Sequence, residues 1–175
     1  MPYAITLMLD ASSARSVVAM WETLAAGGIS EDAVRLGYPP HLTMAVFSDT
    51  ADAARLLHAA RDSAARWNRL PIQLTSLDFF LGPPAVIFLA PVVTPALLTV
   101  HTELLTALDN EPTDPHYRSG SWVPHVTLAS DLADPAAAQT TLKPFCLPID
   151  ALLETIEVVR FRPVKVLASH RLRAA

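Results

Sequence analysis

A six-residue phrase occurs twice in this chain of 175 residues, as Pro40-His41-Leu42-Thr43-Met44-Ala45 and as Pro124-His125-Val126-Thr127-Leu128-Ala129. Histidine changes charge near neutral pH more readily than any other side chain, so two imidazoles facing one atom supply a base and an acid to a single step. The threonine two residues beyond each histidine adds a hydroxyl able to donate to an oxygen on which negative charge grows. For a cyclic phosphodiester, one neutral imidazole would take a proton from the attacking water. The other, protonated, would deliver one to the departing ribose oxygen. Such a step asks for no metal.

A strand sends alternate side chains to opposite faces, so in each copy His and Thr point one way and the apolar residues between them the other. An aromatic residue stands three positions before each histidine, Tyr38 in one copy and Trp122 in the other. Duplication and folding about a local two-fold axis would bring the polar faces together around one cleft. Three other readings compete. A His-x-Thr face can be plain solvent face, but solvation does not demand that histidine return at the same register with the same proline and alanine. A zinc site needs more than two ligands, and the chain has no His-Glu-x-x-His or paired cysteines, so neither metal nor cofactor is expected. A nucleotide-binding module without turnover would need no matched acid and base.

The totals set limits. The length suits one domain, or one domain of two lobes, spanning residues 1–175 with a sizeable core. Hydrophobic residues make up 51% and charged residues 17%, which excludes a disordered tail. A net charge of -4, with Lys143 and Lys165 the only lysines, argues against a surface that tracks long nucleic acid. It favours a small nucleotide or an RNA end. The sequence names no oligomeric partner. Cys146 has no partner for a disulfide and is expected to be packed within Pro144-Phe145-Cys146-Leu147. With no signal-peptide pattern at the start and no apolar run of bilayer length, a cytoplasmic location without membrane contact is expected.

Along the chain, residues 3–9 read as a strand, and residues 10–13 cap a helix over 14–26 that Gly27-Gly28 stops. Residues 30–38 form a connector of no assigned conformation, after which Pro39-Pro40 forces an extended entry to the strand at 41–47. Helical spacing of Ala53, Leu56, Leu57, Ala60, Ala64 and Trp67 marks a second helix. Residues 71–80 and 85–91 pair as a hairpin about Leu81-Gly82-Pro83-Pro84. A helix at 94–108 carries His101, which with no carboxylate at metal spacing is expected at the surface or as a capping donor and not as a ligand. A further helix lies at 135–142, and closing strands at 145–149, 152–159 and 164–172 surround Arg160-Phe161-Arg162-Pro163. The long irregular stretch 109–123 feeds the second motif strand, a common place for substrate contacts. Tyr117, Arg118 and Trp122 are its candidates to stack on a base or hold a phosphate.

The paired His-x-Thr strands resemble those of the 2H phosphoesterase superfamily, which includes the 2'-5' RNA ligase-like proteins and the cyclic phosphodiesterases. The resemblance implies a bilobal α+β fold, with two antiparallel sheets lining a central cleft and helices outside. It implies that His41 and His125 are the catalytic pair and that Thr43 and Thr127 hold the phosphate. It also implies opening of 2',3'-cyclic phosphates of nucleotides or RNA ends, with RNA 2'-5' ligation or its reverse as the alternative.

Overall fold

The computed structural model describes residues 1–82, 84–161 and 163–174. Pro83 of the expected turn and Arg162 of the stretch between the closing strands lie outside the described residues. In chain order the elements are β1 (Tyr3–Leu9), α1 (Ala11–Ala26), α2 (Asp32–Leu36), β2 (His41–Phe47) and α3 (Ala53–Arg66). There follow β3 (Leu70–Phe80), β4 (Val86–Pro91), α4 (Pro95–Ala107), a 3₁₀ turn (Pro115–Tyr117), β5 (Val126–Ala129), α5 (Pro135–Leu142), β6 (Ile149–Arg160) and β7 (Lys165–Arg171).

The fold is α+β, with every strand pairing antiparallel. The two expected sheets are two wings joined along the long strand β6, in the order β2-β1-β6-β3-β4-β5, with β7 also on β6. Leu153 marks the handover, pairing with Leu9 of β1 on one side and Leu70 of β3 on the other. Each motif strand is thereby the outermost strand of its wing. The segment after β5 mirrors that after β2, since each motif strand leads into an alanine-rich helix.

Helix starts follow their capping residues. Asp10 accepts from the backbone N–H groups of Ser12 (2.9 Å) and Ser13 (3.2 Å) with one oxygen, and from Leu152 N–H (2.8 Å) with the other. One carboxylate thus starts α1 and ties it to β6, a cap of a kind that contributes about 1 kcal/mol. Its inner face buries Val17, Met20, Trp21 and Leu24. These join Ile5, Leu7, Leu42, Met44, Leu56, Ile87, Leu89, Val126, Leu128 and Ile156 in one apolar cluster fed by both wings. The opposite faces of β1 and β6 carry Ala4, Met8 and Val159, which with Tyr38 make a second, small cluster.

Four local expectations change. The connector 30–38 contains α2, too short to show a period, and Gly37 ends it at φ 62, a left-handed stop that glycine adopts without strain. Strands expected at 145–149 and 152–159 are replaced by the single strand β6; Pro144 and Pro148 lack backbone donors, so Phe145 to Leu147 join no ladder. Cys146 is exposed, because its apolar neighbours sit in that unpaired stretch. His101 is buried beneath Trp122.

Candidate active site at the meeting of the two repeats

Both copies of the phrase show the same burial in order: half-buried His, buried Leu42 or Val126, half-buried Thr, then two buried residues. Strict alternation would return the final alanine to the polar face. A bulge prevents it in both places. On β1, Ile5 pairs with Ala45 but Thr6 with Thr43, skipping Met44; on β4, Ile87 pairs with Ala129 but Phe88 with Thr127, skipping Leu128. A bulge bends a strand and re-aims its side chains, so here Met44 and Ala45, and likewise Leu128 and Ala129, all turn into the core.

The two imidazoles are held alike. His41 Nδ1 lies 2.8 Å from the carbonyl oxygen of Pro39, and His125 Nδ1 lies 2.7 Å from that of Val123. A carbonyl only accepts, so each Nδ1 carries the proton, and Nε2 of each neutral ring is left as an unprotonated lone pair. Burial pushes the His41 imidazole below its ordinary value; the bond to Pro39 opposes this, and the nearby His125 pushes in the same direction as burial. Burial also lowers His125, against its bond to Val123. His41 of the first copy and Thr127 of the second stand on the wall of one hollow, so the polar faces of the two copies open on a common space.

Their surroundings differ. The His41 ring packs against Tyr38 at 4.7 Å between centroids. Tyr38 is pinned by its hydroxyl, 2.8 Å from Thr6 Oγ1 and donating to Glu157 Oε2 at 2.8 Å. Glu157 favours the protonated form of His41. His125 instead meets Phe80 edge-on at 5.1 Å and Phe88 at 5.2 Å.

The threonine hydroxyls of Thr43 and Thr127 are unengaged among the described residues, whereas their carbonyls are each taken by an indole. Trp122 Nε1 donates to Thr43 O at 3.0 Å and Trp21 Nε1 to Thr127 O at 3.1 Å. The loop before β5 also lies along the free edge of β2: Ser48 N–H donates to Pro112 O and Asp114 N–H to Val46 O. That path brings the loop from one wing to the other.

Three hollows open beside the histidines, each with one of the two on its wall. The first, about 410 Å³, runs from His41 and Thr127 to Trp21, Asp32, Arg35 and Asp131. The second, about 340 Å³, has His41 and Thr43 on its wall with Tyr38, Asp114 and Tyr117. The third, about 590 Å³, has His125 and Thr127 with Phe80, Asp114, Tyr117 and Trp122. Tyr117 therefore stands where the second and third hollows adjoin, and burial, with Asp114 beside it, pushes its phenol up to about 12.

Of the three loop candidates, Tyr117 faces both histidine hollows. Trp122 lines the third, yet its N–H is spent on Thr43 and its ring stacks on His101 at 3.9 Å and 4°. Arg118 is exposed, 3.5 Å from Thr113 O, and is on none of these walls. His101 is buried because its ring forms the floor under Trp122 and its Nε2 reaches Tyr117 O at 3.0 Å. Sequence reasoning gave no role to Trp21, Glu157, Phe80 or His101; the aromatic offset before each histidine was the one signal for Tyr38. Among the described residues no cluster of three or more His, Cys, Asp or Glu gathers as a metal site, and no helix is long and apolar enough to cross a membrane.

A family model described as the 2'-5' RNA ligase superfamily matches residues 11–164. No curated protein matches the chain by sequence. Among solved structures, TT0787 of Thermus thermophilus superposes with a TM-score of 0.69 at 16% identity, covering 99% of each chain. LigT of E. coli complexed with 3'-AMP gives 0.65 at 15% identity, covering 98% of this chain and 99% of that one. Usb1 of Kluyveromyces marxianus with uridine monophosphate gives 0.51 at 10% identity, over 98% and 96%. At these identities the superpositions speak for the fold.

Proposed function

The chain belongs to the 2'-5' RNA ligase superfamily, and from that premise we propose that it is a metal-independent phosphodiesterase that opens 2',3'-cyclic phosphates of nucleotides or RNA ends. The observation that carries this reading is the matched pair of imidazoles, each with Nδ1–H given to the carbonyl two residues back. Each then has Nε2 available for proton transfer, and the fixed tautomer removes the need to reorganise during reaction.

The step balances with the side chains present. A neutral imidazole takes a proton from water as the water oxygen bonds to phosphorus. The bond from phosphorus to the 3' oxygen breaks, and the second imidazole, protonated beforehand, gives its proton to that oxygen. The product is a 2'-phosphate, and the two rings have exchanged protonation states. Thr43 and Thr127 donate to the non-bridging oxygens as charge grows there. Lowered imidazole pKa values suit this, because an arriving phosphate anion restores one proton to the pair while the other ring stays neutral. LigT is seen with 3'-AMP, ATP and NADP+ and Usb1 with uridine monophosphate, which supports a nucleotide as the kind of substrate.

Incubation with a panel of 2',3'-cyclic nucleotides, ADP-ribose cyclic phosphate and 2'-5' dinucleotides tests the proposal. Conversion of a 2',3'-cyclic nucleotide to its 2'-phosphate, unaffected by EDTA, is the expected result. Loss of activity in EDTA with recovery on adding zinc would overturn it.

A further inference from the structure

We propose that the third hollow seats the nucleobase of the substrate and that the ring of Phe80 is the platform on which an unpaired base stacks. The proposal rests on the phosphodiesterase reading above and assigns a base-binding subsite to the same cleft.

Strand register places that ring. Phe80 ends β3 opposite Val86 of β4, and Asp78, two residues earlier on the same face, lies opposite Phe88, which in turn pairs with Thr127 of β5. Residues directly opposite one another in a ladder share a face, and so do residues two apart on one strand. Phe80, Val86 and Phe88 therefore stand on the surface of the second wing that carries the Thr127 hydroxyl. Phe88 is buried and backs Phe80 at 4.4 Å between centroids, while His125 meets Phe80 edge-on at 5.1 Å. The platform is a direct neighbour of the imidazole assigned to the chemistry.

Other aromatic rings beside the histidines have little surface left for a ligand. Trp21, Tyr38 and Trp122 are each less than a tenth exposed, and their polar atoms are engaged with Thr127 O, Glu157 and Thr43 O. Phe80 is 36% exposed, on the wall of a hollow of about 590 Å³ that Val86 and Val123 also line. An aromatic face open to water beside a phosphate site is what holds an unstacked base, and every base has a face to offer it. Tyr117, Ser121 and Ser130 bring hydroxyls to this wall, and Asp114 is taken up with His116 at 3.0 Å. A hydroxyl donates or accepts as required, so these groups select no particular base edge. Preference among bases then follows stacked area, purine over pyrimidine. An RNA end fits on the same terms, because its last base is free to leave the stack.

The experiment compares kcat/KM for adenosine 2',3'-cyclic phosphate and for methyl riboside 2',3'-cyclic phosphate, which has no base, in wild type, Phe80→Ala and Phe80→Trp. Wild type is expected to favour the nucleotide by about tenfold or more, the usual effect of one base stacked on one aromatic ring. Phe80→Ala should remove most of that preference, and Phe80→Trp, which offers a larger face, should retain it. Equal turnover of both compounds by wild type overturns the subsite and leaves the phosphodiesterase standing. A loss shared equally by the two compounds in Phe80→Ala would mean that the ring only packs against His125, and overturns the subsite as well. So does a preference unmoved in Phe80→Ala or lost in Phe80→Trp. Turnover of neither compound by wild type overturns the phosphodiesterase reading and this inference with it.

Discussion

The indole N–H of Trp122 donates to the carbonyl oxygen of Thr43 at 3.0 Å, so the loop that delivers the second histidine is fastened to the strand that carries the first. Trp122 in turn lies flat on His101 of α4, whose Nε2 reaches Tyr117 O. One indole and one imidazole thereby fix the second motif, Tyr117 and the first motif relative to each other.

Trp122→Phe tests that fastening. Phenylalanine retains an aromatic face for His101 but leaves the Thr43 carbonyl without its donor, a loss expected to destabilise the fold by about 1–3 kcal/mol. Because Thr43 is then less firmly placed, kcat should fall more than KM rises. Denaturant unfolding and steady-state kinetics read the two effects; an unchanged unfolding midpoint would show that the bond holds nothing in place.

Thr43→Val and Thr127→Val each remove one hydroxyl that is free for a phosphate oxygen while keeping the branched shape. Each substitution is expected to lower kcat by about a hundredfold, the usual cost of one donor aimed at developing charge. Both sites are half-buried strand positions, so melting temperatures should stay near wild type. Undiminished kcat in both variants would remove the threonines from the chemistry.

The rate should depend on pH as a bell whose maximum lies on the acid side of about 6.5, because burial lowers both imidazoles from that value. Glu157 favours protonated His41, so Glu157→Gln should lower the His41 pKa further and move the corresponding limb of kcat/KM to lower pH. A shift to higher pH, or a profile unaltered by the substitution, would contradict the assigned influence of Glu157.

Stability should fall on acidification. His41, His101 and His125 are all lowered in the folded chain, with burial the largest cause in each. Below the unfolded value of about 6.5 the unfolded chain binds more protons than the folded one, so folding is penalised progressively until the folded values are passed. Their contribution is complete above that pH and lost beneath it. Melting temperatures across the range from pH of about 7.5 to about 5 measure this, and added inorganic phosphate should offset part of the loss by binding the folded form. A melting temperature that rises toward acid pH would refute it.

Much of the site was legible because it is written twice. The repeat gave the positions of His41, Thr43, His125 and Thr127 on strand faces, and alternation gave which neighbours are buried. The bulges at Met44 and Leu128 were not legible, since a bulge is a property of a strand and its partner together. The burial of His101 was not legible, since a histidine on a helix with no carboxylate at metal spacing reads as a surface residue or a capping donor, and what covers it is Trp122, which reaches it from a loop of no period. Likewise Glu157 belongs to a strand whose alternation revealed two faces but not that one of them meets Tyr38. The apolar run around Cys146 has the composition of a buried strand, but the prolines flanking it withhold the backbone donors a ladder needs, and the thiol is exposed.

The most direct test is turnover of a 2',3'-cyclic nucleotide by wild type, His41→Ala and His125→Ala, with circular dichroism confirming that each variant is folded. Wild type should yield the 2'-phosphate in the presence of EDTA, and each variant should lose about a hundredfold to ten-thousandfold in kcat, the range attributed to one proton-transfer group. Wild-type turnover by either folded variant would contradict the two-imidazole account.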